Sequence, residues 1–259
     1  MHSEWQVRLM HWLETLKQDL YVPLGPIEVE SFTTMEHLTP EAAAKGSFAP
    51  MAPGTQWGHT WEYCWMRGSV VLPEAAAGRR IAMDLQTGGE STLFVDGKSF
   101  GTRRAEWVHV PHHYIVDNFL TDCGEAGRSY DLLIEAYAGH FFPESPLRGC
   151  STGPVLPGSY TDPRAEGRRT ALGNMTYGIW NEEAYQLYMD LNTLMLLGDQ
   201  LDPESLRADH VASALERATL VIDFEQPMEG RLESYRAARE ALKPALEAVN
   251  GSTVPMFYA

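Results

Sequence analysis

The sequence predicts a mainly β protein with helices (α+β): an antiparallel β-sandwich or jelly roll, followed by a helical segment. Three observations predict it. Between about residues 57 and 180 the chain breaks into short runs rich in Val, Ile, Tyr, Phe and Trp, punctuated by Gly and Pro. No helix-length periodicity intervenes between those runs, which favours hairpin connections over parallel crossovers. Before and after this stretch the apolar spacing changes to that of a helix.

Taken in order, residues 1–22 are read as an N-terminal helix. Trp5, Leu9, Trp12, Leu13, Leu16 and Leu20 fall on one stripe, Ser3 is placed to cap it, and Pro23, Gly25 and Pro26 are expected to end it. Residues 33–56 have weak periodicity and read as a covering loop. The β region, 23–180, contains "TWEYCWMRGSVVLP", in which Trp61, Tyr63 and Trp65 fall on one face and Glu62 and Cys64 on the other. "RRIAMDLQ" and "STLFVDGK" follow, and Asp96–Gly97 is a hairpin turn signal. "EWVHV", "HYIVDNF", "SYDLLIEAYA" and "ALGNMTYGIW" are further strands, and the Pro/Gly-rich stretch 143–167 is a long loop.

Segment 181–250 is helical. Asn181 is expected to cap the first helix, Asp202 the second with Pro203 at its first position, and Pro227 to open the third. Leu232, Tyr235, Leu242, Leu246 and Val249 are expected to share a face, Pro244 to kink or interrupt that helix, and Asn250–Gly251 to end it. The segment carries 14 Asp and Glu against 6 Lys and Arg, a net of −8, consistent with a solvated outer face. Residues 251–259, "GSTVPMFYA", finish on an apolar run suited to a buried strand.

The 259 residues carry a net charge of −15, which argues against nucleic acid and against an anionic membrane surface as partners. Nothing approaches the roughly 20 apolar residues of a membrane span. The first 20 residues carry charges throughout and lack a signal peptide's apolar region, so the expected location is cytoplasmic. Cys64, Cys123 and Cys150 form no CxxC motif and read as small buried thiols.

No GxSxG, HExxH, phosphate loop or GxGxxG is present. No residue is assigned a catalytic, cofactor-binding or metal-binding role. His109, His112 and His113 are the densest imidazole cluster, but adjacent residues of a strand point to opposite faces, so surface histidines are favoured over a zinc site. Sugar rings stack their C–H faces on aromatic side chains beside polar groups. Trp57, Trp107, His112 and His113 are the candidate sugar-binding residues on that ground, with core packing the competing reading for each tryptophan.

"WMRGSVVLP" (65–73), "GGESTLFVDGKSFG" (88–101) and "YDLLIEAYAGH" (130–140) occur in that order across the β region. Together with "WNEEAYQLYMDLNTLMLLGDQL" and "ALERATLVIDF", they resemble the N-terminal, non-catalytic region of glycoside hydrolase family 38 α-mannosidases of the cytosolic and bacterial type. The resemblance implies a galactose-binding-like jelly roll and a helical linker to a catalytic domain, with 251–259 as that domain's first strand. It implies a parent that cleaves terminal α-mannosides with retention, and zinc in the parent's catalytic domain rather than in this chain. It further implies that this chain is inactive alone, with the parent's catalytic domain, mannose-containing glycans and further copies of itself as partners. Two other readings stay open: a self-standing carbohydrate-binding module, and a protein-interaction or oligomerisation module without sugar affinity.

Overall fold

A computed structural model describes residues 4–59, 61–103, 119–139 and 170–249. The chain divides into two compact units, Pro23–Trp180 and Met1–Val22 with Asn181–Ala259. The strand candidates between 106 and 118, the loop at 143–167 and the terminal run 251–259 lie outside the described residues.

In the first unit, a six-stranded antiparallel sheet runs in the order β3 (Ala49–Met51), β2 (Val29–Thr34), β5 (Tyr63–Val71), β10 (Ser129–Tyr137), β7 (Glu90–Val95), β8 (Lys98–Arg103). A four-stranded sheet has the order β1 (Tyr21–Pro26), β12 (Met175–Trp180), β6 (Ile81–Leu85), β9 (Phe119–Thr121), and β4 (Gln56–Trp57) pairs with β11 (Thr170–Ala171). Alternation decides what faces inward. Cys64, Met66 and Val70 of β5, Leu132, Ile134 and Ala136 of β10, and Leu93 and Val95 of β7 join Ile81, Met83 and Leu85 of β6 in one buried core. This is the sandwich that the short alternating runs predict. β7 and β8 meet at Asp96 (φ 49°) and Gly97 (φ 73°), the left-handed pair that a type I′ hairpin requires.

Four expectations need correction here. Pro23, Gly25 and Pro26 do not simply stop a helix: α1 (Glu4–Asp19) ends earlier and β1 holds both prolines, which an edge strand tolerates because its outer N–H groups need no partner. Trp61 is outside β5, in a turn at φ 71°, so only Tyr63 and Trp65 share the face. Residues 33–56 are more than a loop: they contain the end of β2, helix α2 (Pro40–Ala43) capped by Thr39, β3 and the start of β4. Cys64 is buried as expected, but Cys123 is exposed.

The second unit packs α1 with α3 (Glu182–Gln200), α4 (Leu206–Thr219) and α5 (Met228–Leu246). Leu9, Leu16, Leu187, Leu191, Tyr235 and Leu242 are almost wholly buried. Asp19, 5% exposed, is its polar centre: the Tyr235 hydroxyl donates to its carboxylate, and Arg231 Nη1 lies 3.2 and 3.3 Å from its two oxygens. Asn181 sits at the first helix's cap position but does not cap; its Nδ2 donates to the Asp19 carbonyl at 2.7 Å. Ser205, rather than Asp202, caps α4, accepting from the Ala208 N–H at 3.2 Å. Asp202 Oδ1 instead accepts from the Glu204 N–H in a tight local turn. Helix α5 runs through Pro244 and ends at Leu246 with Glu247, not Asn250–Gly251, at its C-cap. Its buried face is Tyr235, Ala238, Leu242 and Ala245, while Val249 is 91% exposed.

Candidate functional site

Of the four candidate sugar-binding residues, Trp107, His112 and His113 lie outside the described residues. Trp57 is 2% exposed, and its indole N–H donates to the Thr87 carbonyl at 3.0 Å. It holds the Thr87–Gly88–Gly89 turn, whose glycines admit no side chain: a Cβ at Gly88 would meet the Ala171 carbonyl at 2.5 Å, and one at Gly89 the Tyr137 carbonyl at 2.4 Å. Trp57 therefore presents no ring face to a sugar. It is a core residue because its N–H is needed by a turn, not by a ligand. Asp96 is likewise committed, its Oδ1 accepting from the Asp131 N–H at 3.0 Å.

The sandwich unit does contain a concavity, a groove of about 1240 Å³. Its polar lining includes Glu28, Glu30, Arg67, Ser69, Asp131 and Asn174, and its apolar wall includes Ile27, Pro50, Met51 and Met175. Arg67 is fixed there by Glu30, with Nε at 2.8 Å and Nη2 at 2.6 Å from Oε2, and by Phe48, whose ring centroid is 4.4 Å from its guanidinium carbon. Carboxylates, an amide and a hydroxyl around an open apolar wall suit a neutral, hydroxyl-rich ligand. No aromatic ring lines the groove among the described residues.

The aromatic rings stand next to it. On the sheet face turned away from the sandwich core, β5 presents Tyr63, Trp65, Arg67 and Ser69 in one row, and only the last two reach the groove. Residues 35–48 form a strap fixed near both ends of that row. At one end His37 stacks on Tyr63 (5.3 Å, 28°), which stacks on Tyr137 (4.9 Å, 29°), and His37 Nε2 lies 3.3 Å from Glu135 Oε1. At the other, Phe48 meets Phe32 edge-on at 4.9 Å and carries Arg67. Trp65, between the two, is 0% exposed. Its indole N–H has no hydrogen-bond partner, and the buried Oε1 of Glu135, the residue directly opposite it in the β5–β10 register, is met only by the His37 contact.

Burial raises the Glu135 carboxyl above the usual carboxylate range, with His37 pulling the other way. The Tyr137 hydroxyl is pushed up to about 12 by burial, helped by Tyr63 and Glu90. Burial also lifts the Cys64 thiol to about 12, leaving it a packing group rather than a nucleophile. Sequence reasoning missed Glu135 and His37. The available signal was "LLIEAY", a lone carboxylate inside an otherwise apolar strand. Among the described residues no three His, Cys, Asp or Glu side chains come together as a metal site would need, so no step through zinc is assigned to them. No described helix is long and apolar enough to cross a membrane.

Comparison with known proteins agrees with the architecture. The family model described as "Alpha-mannosidase, jelly roll domain" (Ams1-like) matches residues 22–157. Alpha-mannosidase 2C1 of Mus musculus is 24% identical over 213 residues, and that of Homo sapiens 25% over 215; each alignment covers 82% of this chain. The chain spans 19% of the length of these relatives. Among solved structures, β-glucuronidase from Ruminococcus gnavus with a C6-substituted uronic isofagomine aligns at 10% identity and a TM-score of 0.39, over 62% of this chain and 29% of that one. The ordered β motifs, the antiparallel sandwich and the match over 22–157 converge: this chain belongs to the alpha-mannosidase jelly roll domain family.

Proposed function

We propose that this chain is the non-catalytic N-terminal region of a zinc-dependent, retaining α-mannosidase of glycoside hydrolase family 38, acting in the cytoplasm. The observation that carries this reading is the jelly-roll match over 22–157 together with alignment to two curated alpha-mannosidases, of which the chain covers only 19%. In this reading the parent's catalytic domain, outside this chain, supplies the zinc and the nucleophile that form a covalent glycosyl–enzyme intermediate. The sandwich supports that domain and the assembly of parent copies, and binds mannose-containing glycans weakly. Affinity in the millimolar range, about −4 kcal/mol, is what a few polar groups and one stacking surface yield after the cost of ordering a ligand. Trp107, His112 and His113 remain its proposed contacts outside the described residues.

The test is an aryl α-mannoside assay on the purified chain, with and without added zinc. No turnover is expected, whereas a longer polypeptide continuing past Ala259 is expected to hydrolyse the substrate. Turnover that tracks with the 259-residue chain through purification overturns the non-catalytic role; an inactive longer polypeptide carrying zinc overturns the parent activity.

A further inference from the structure

We propose that the groove and the tryptophan beneath the adjacent strap form one carbohydrate-binding face: residues 35–48 cover Trp65, and lifting them joins Trp65 and Glu135 to the polar groups at Arg67, Ser69 and Asn174. This rests on the reading that the sandwich binds sugar and names where. The groove has hydrogen-bonding groups and room but no stacking surface, while the aromatic ring that would complete it is the next residue along the same row of β5. An indole N–H at 0% exposure with no partner is a donor waiting for an acceptor. The buried Oε1 of Glu135 faces it across the β5–β10 pair, met only by the His37 imidazole at 3.3 Å, so lifting His37 with the strap frees it as an acceptor. A hydroxyl is both donor and acceptor, so one sugar hydroxyl between them satisfies both. Tyr63 and Tyr137 extend the ring surface for a second residue.

The strap is fastened lightly at its His37 end. His37 is an exposed side chain held by one stacking contact and one contact to Glu135. Gly46 lies flat against the Phe32 ring, where a Cβ would come within 2.3 Å of it. The ligand class is a neutral pyranoside, since Glu28, Glu30 and Asp131 would repel an anion.

The test uses the whole chain labelled with 15N at its tryptophans, the Trp65 indole signal being the one lost in Trp65→Phe. Methyl α-D-mannopyranoside and an α-mannobiose are titrated to about 100 mM, spanning the millimolar Kd expected. The Trp65 signal is expected to shift and saturate. Arg67→Ala, on the groove side, is expected to weaken binding about threefold or more through loss of its hydrogen bonds. His37→Ala is expected to tighten apparent binding about threefold and to speed exchange of the Trp65 indole proton, because the closed state no longer competes with ligand. Saturating shifts at other tryptophans with Trp65 silent overturn this site and leave sugar binding standing. No shift anywhere overturns both. Exchange at Trp65 unchanged by His37→Ala overturns the strap as a cover, whatever the titration shows.

Discussion

The helical unit and the outer face of the six-stranded sheet treat buried polar groups in opposite ways. In the helical unit the buried Asp19 carboxylate is met by Arg231 and the Tyr235 hydroxyl, and Asn181 closes on the Asp19 carbonyl. Burial and the Asp19 carboxylate together hold the Tyr235 hydroxyl well above its ordinary range, so it stays a donor at any working pH. On the outer face of the six-stranded sheet, the buried Trp65 indole N–H has no partner and the buried Glu135 Oε1 has only the exposed His37 imidazole. The first arrangement is a lock between the end of α1 and the start of α5. The second leaves free energy to be gained by whatever supplies the missing partner. A satisfied network marks structure, and an unsatisfied buried donor beside a groove marks a place to look for a ligand.

The largest test of this contrast is Asp19→Ala. It leaves Arg231 without its carboxylate partner and the buried Tyr235 hydroxyl without an acceptor, and should destabilise the helical unit by about 3–5 kcal/mol. Urea unfolding followed by hydrogen exchange, read separately for the two units, checks it; a loss below about 1 kcal/mol would mean the lock is ornamental. Next, Gly89→Ala forces a Cβ against the Tyr137 carbonyl and should cost the sandwich about 2 kcal/mol or more, visible as a lowered urea midpoint. Ser205→Ala should cost about 1 kcal/mol and Asp202→Ala clearly less, because Ser205 holds the cap of α4; the reverse order would return the cap to Asp202.

The smallest effect is a pH dependence. Glu135 has a folded-state pKa raised above its ordinary 4.5, so the folded state holds this proton more tightly than the unfolded chain does. Its contribution is complete below the ordinary value and is lost as pH rises through the raised one. Glu135→Gln should therefore flatten the decline in sandwich stability from about pH 4.5 upward, measured by urea unfolding at a series of pH values. An unchanged slope would place the titration elsewhere.

Much of the fold was legible because local chemistry and tertiary context agreed. The left-handed pair at Asp96 and Gly97 can be read from residue type, and the alternation of β5 and β10 tracks the sandwich core. The misreadings occur where one residue type serves two purposes. Proline breaks a helix and also sits well in an edge strand, so the residues at 23–26 pointed both ways. Asparagine accepts as a helix cap and also donates, and at Asn181 the donor side won because a buried carbonyl needed it. Asp202 and Ser205 are both good caps three residues apart. Pro244 lacks the N–H that would reach the Glu240 carbonyl, and α5 passes it by only two residues before ending at Leu246. The site was less legible. Alternation tells which residues share a face but not whether the second face is wet, and a strap without periodicity gives no sign that it packs on Tyr63 and Arg67 of the β5 row. Trp57 carried an aromatic's ambiguity, settled by a turn carbonyl 30 residues away.

The margins of the two sheets have a consequence for crowding. β3 is three residues long with Pro50 at its centre, and the β7–β8 ladder slips register between Leu93 and Phe94, bending the opposite margin. In the four-stranded sheet, β1 carries prolines at 23 and 26, and β9 is three residues long with a register shift in its pairing to β6. A neighbouring molecule trying to add a strand would find at each margin a missing N–H, a bend or too short a ladder. At high concentration these described margins resist templating fibrils, and copies that associate across them meet through side chains rather than through a shared ladder.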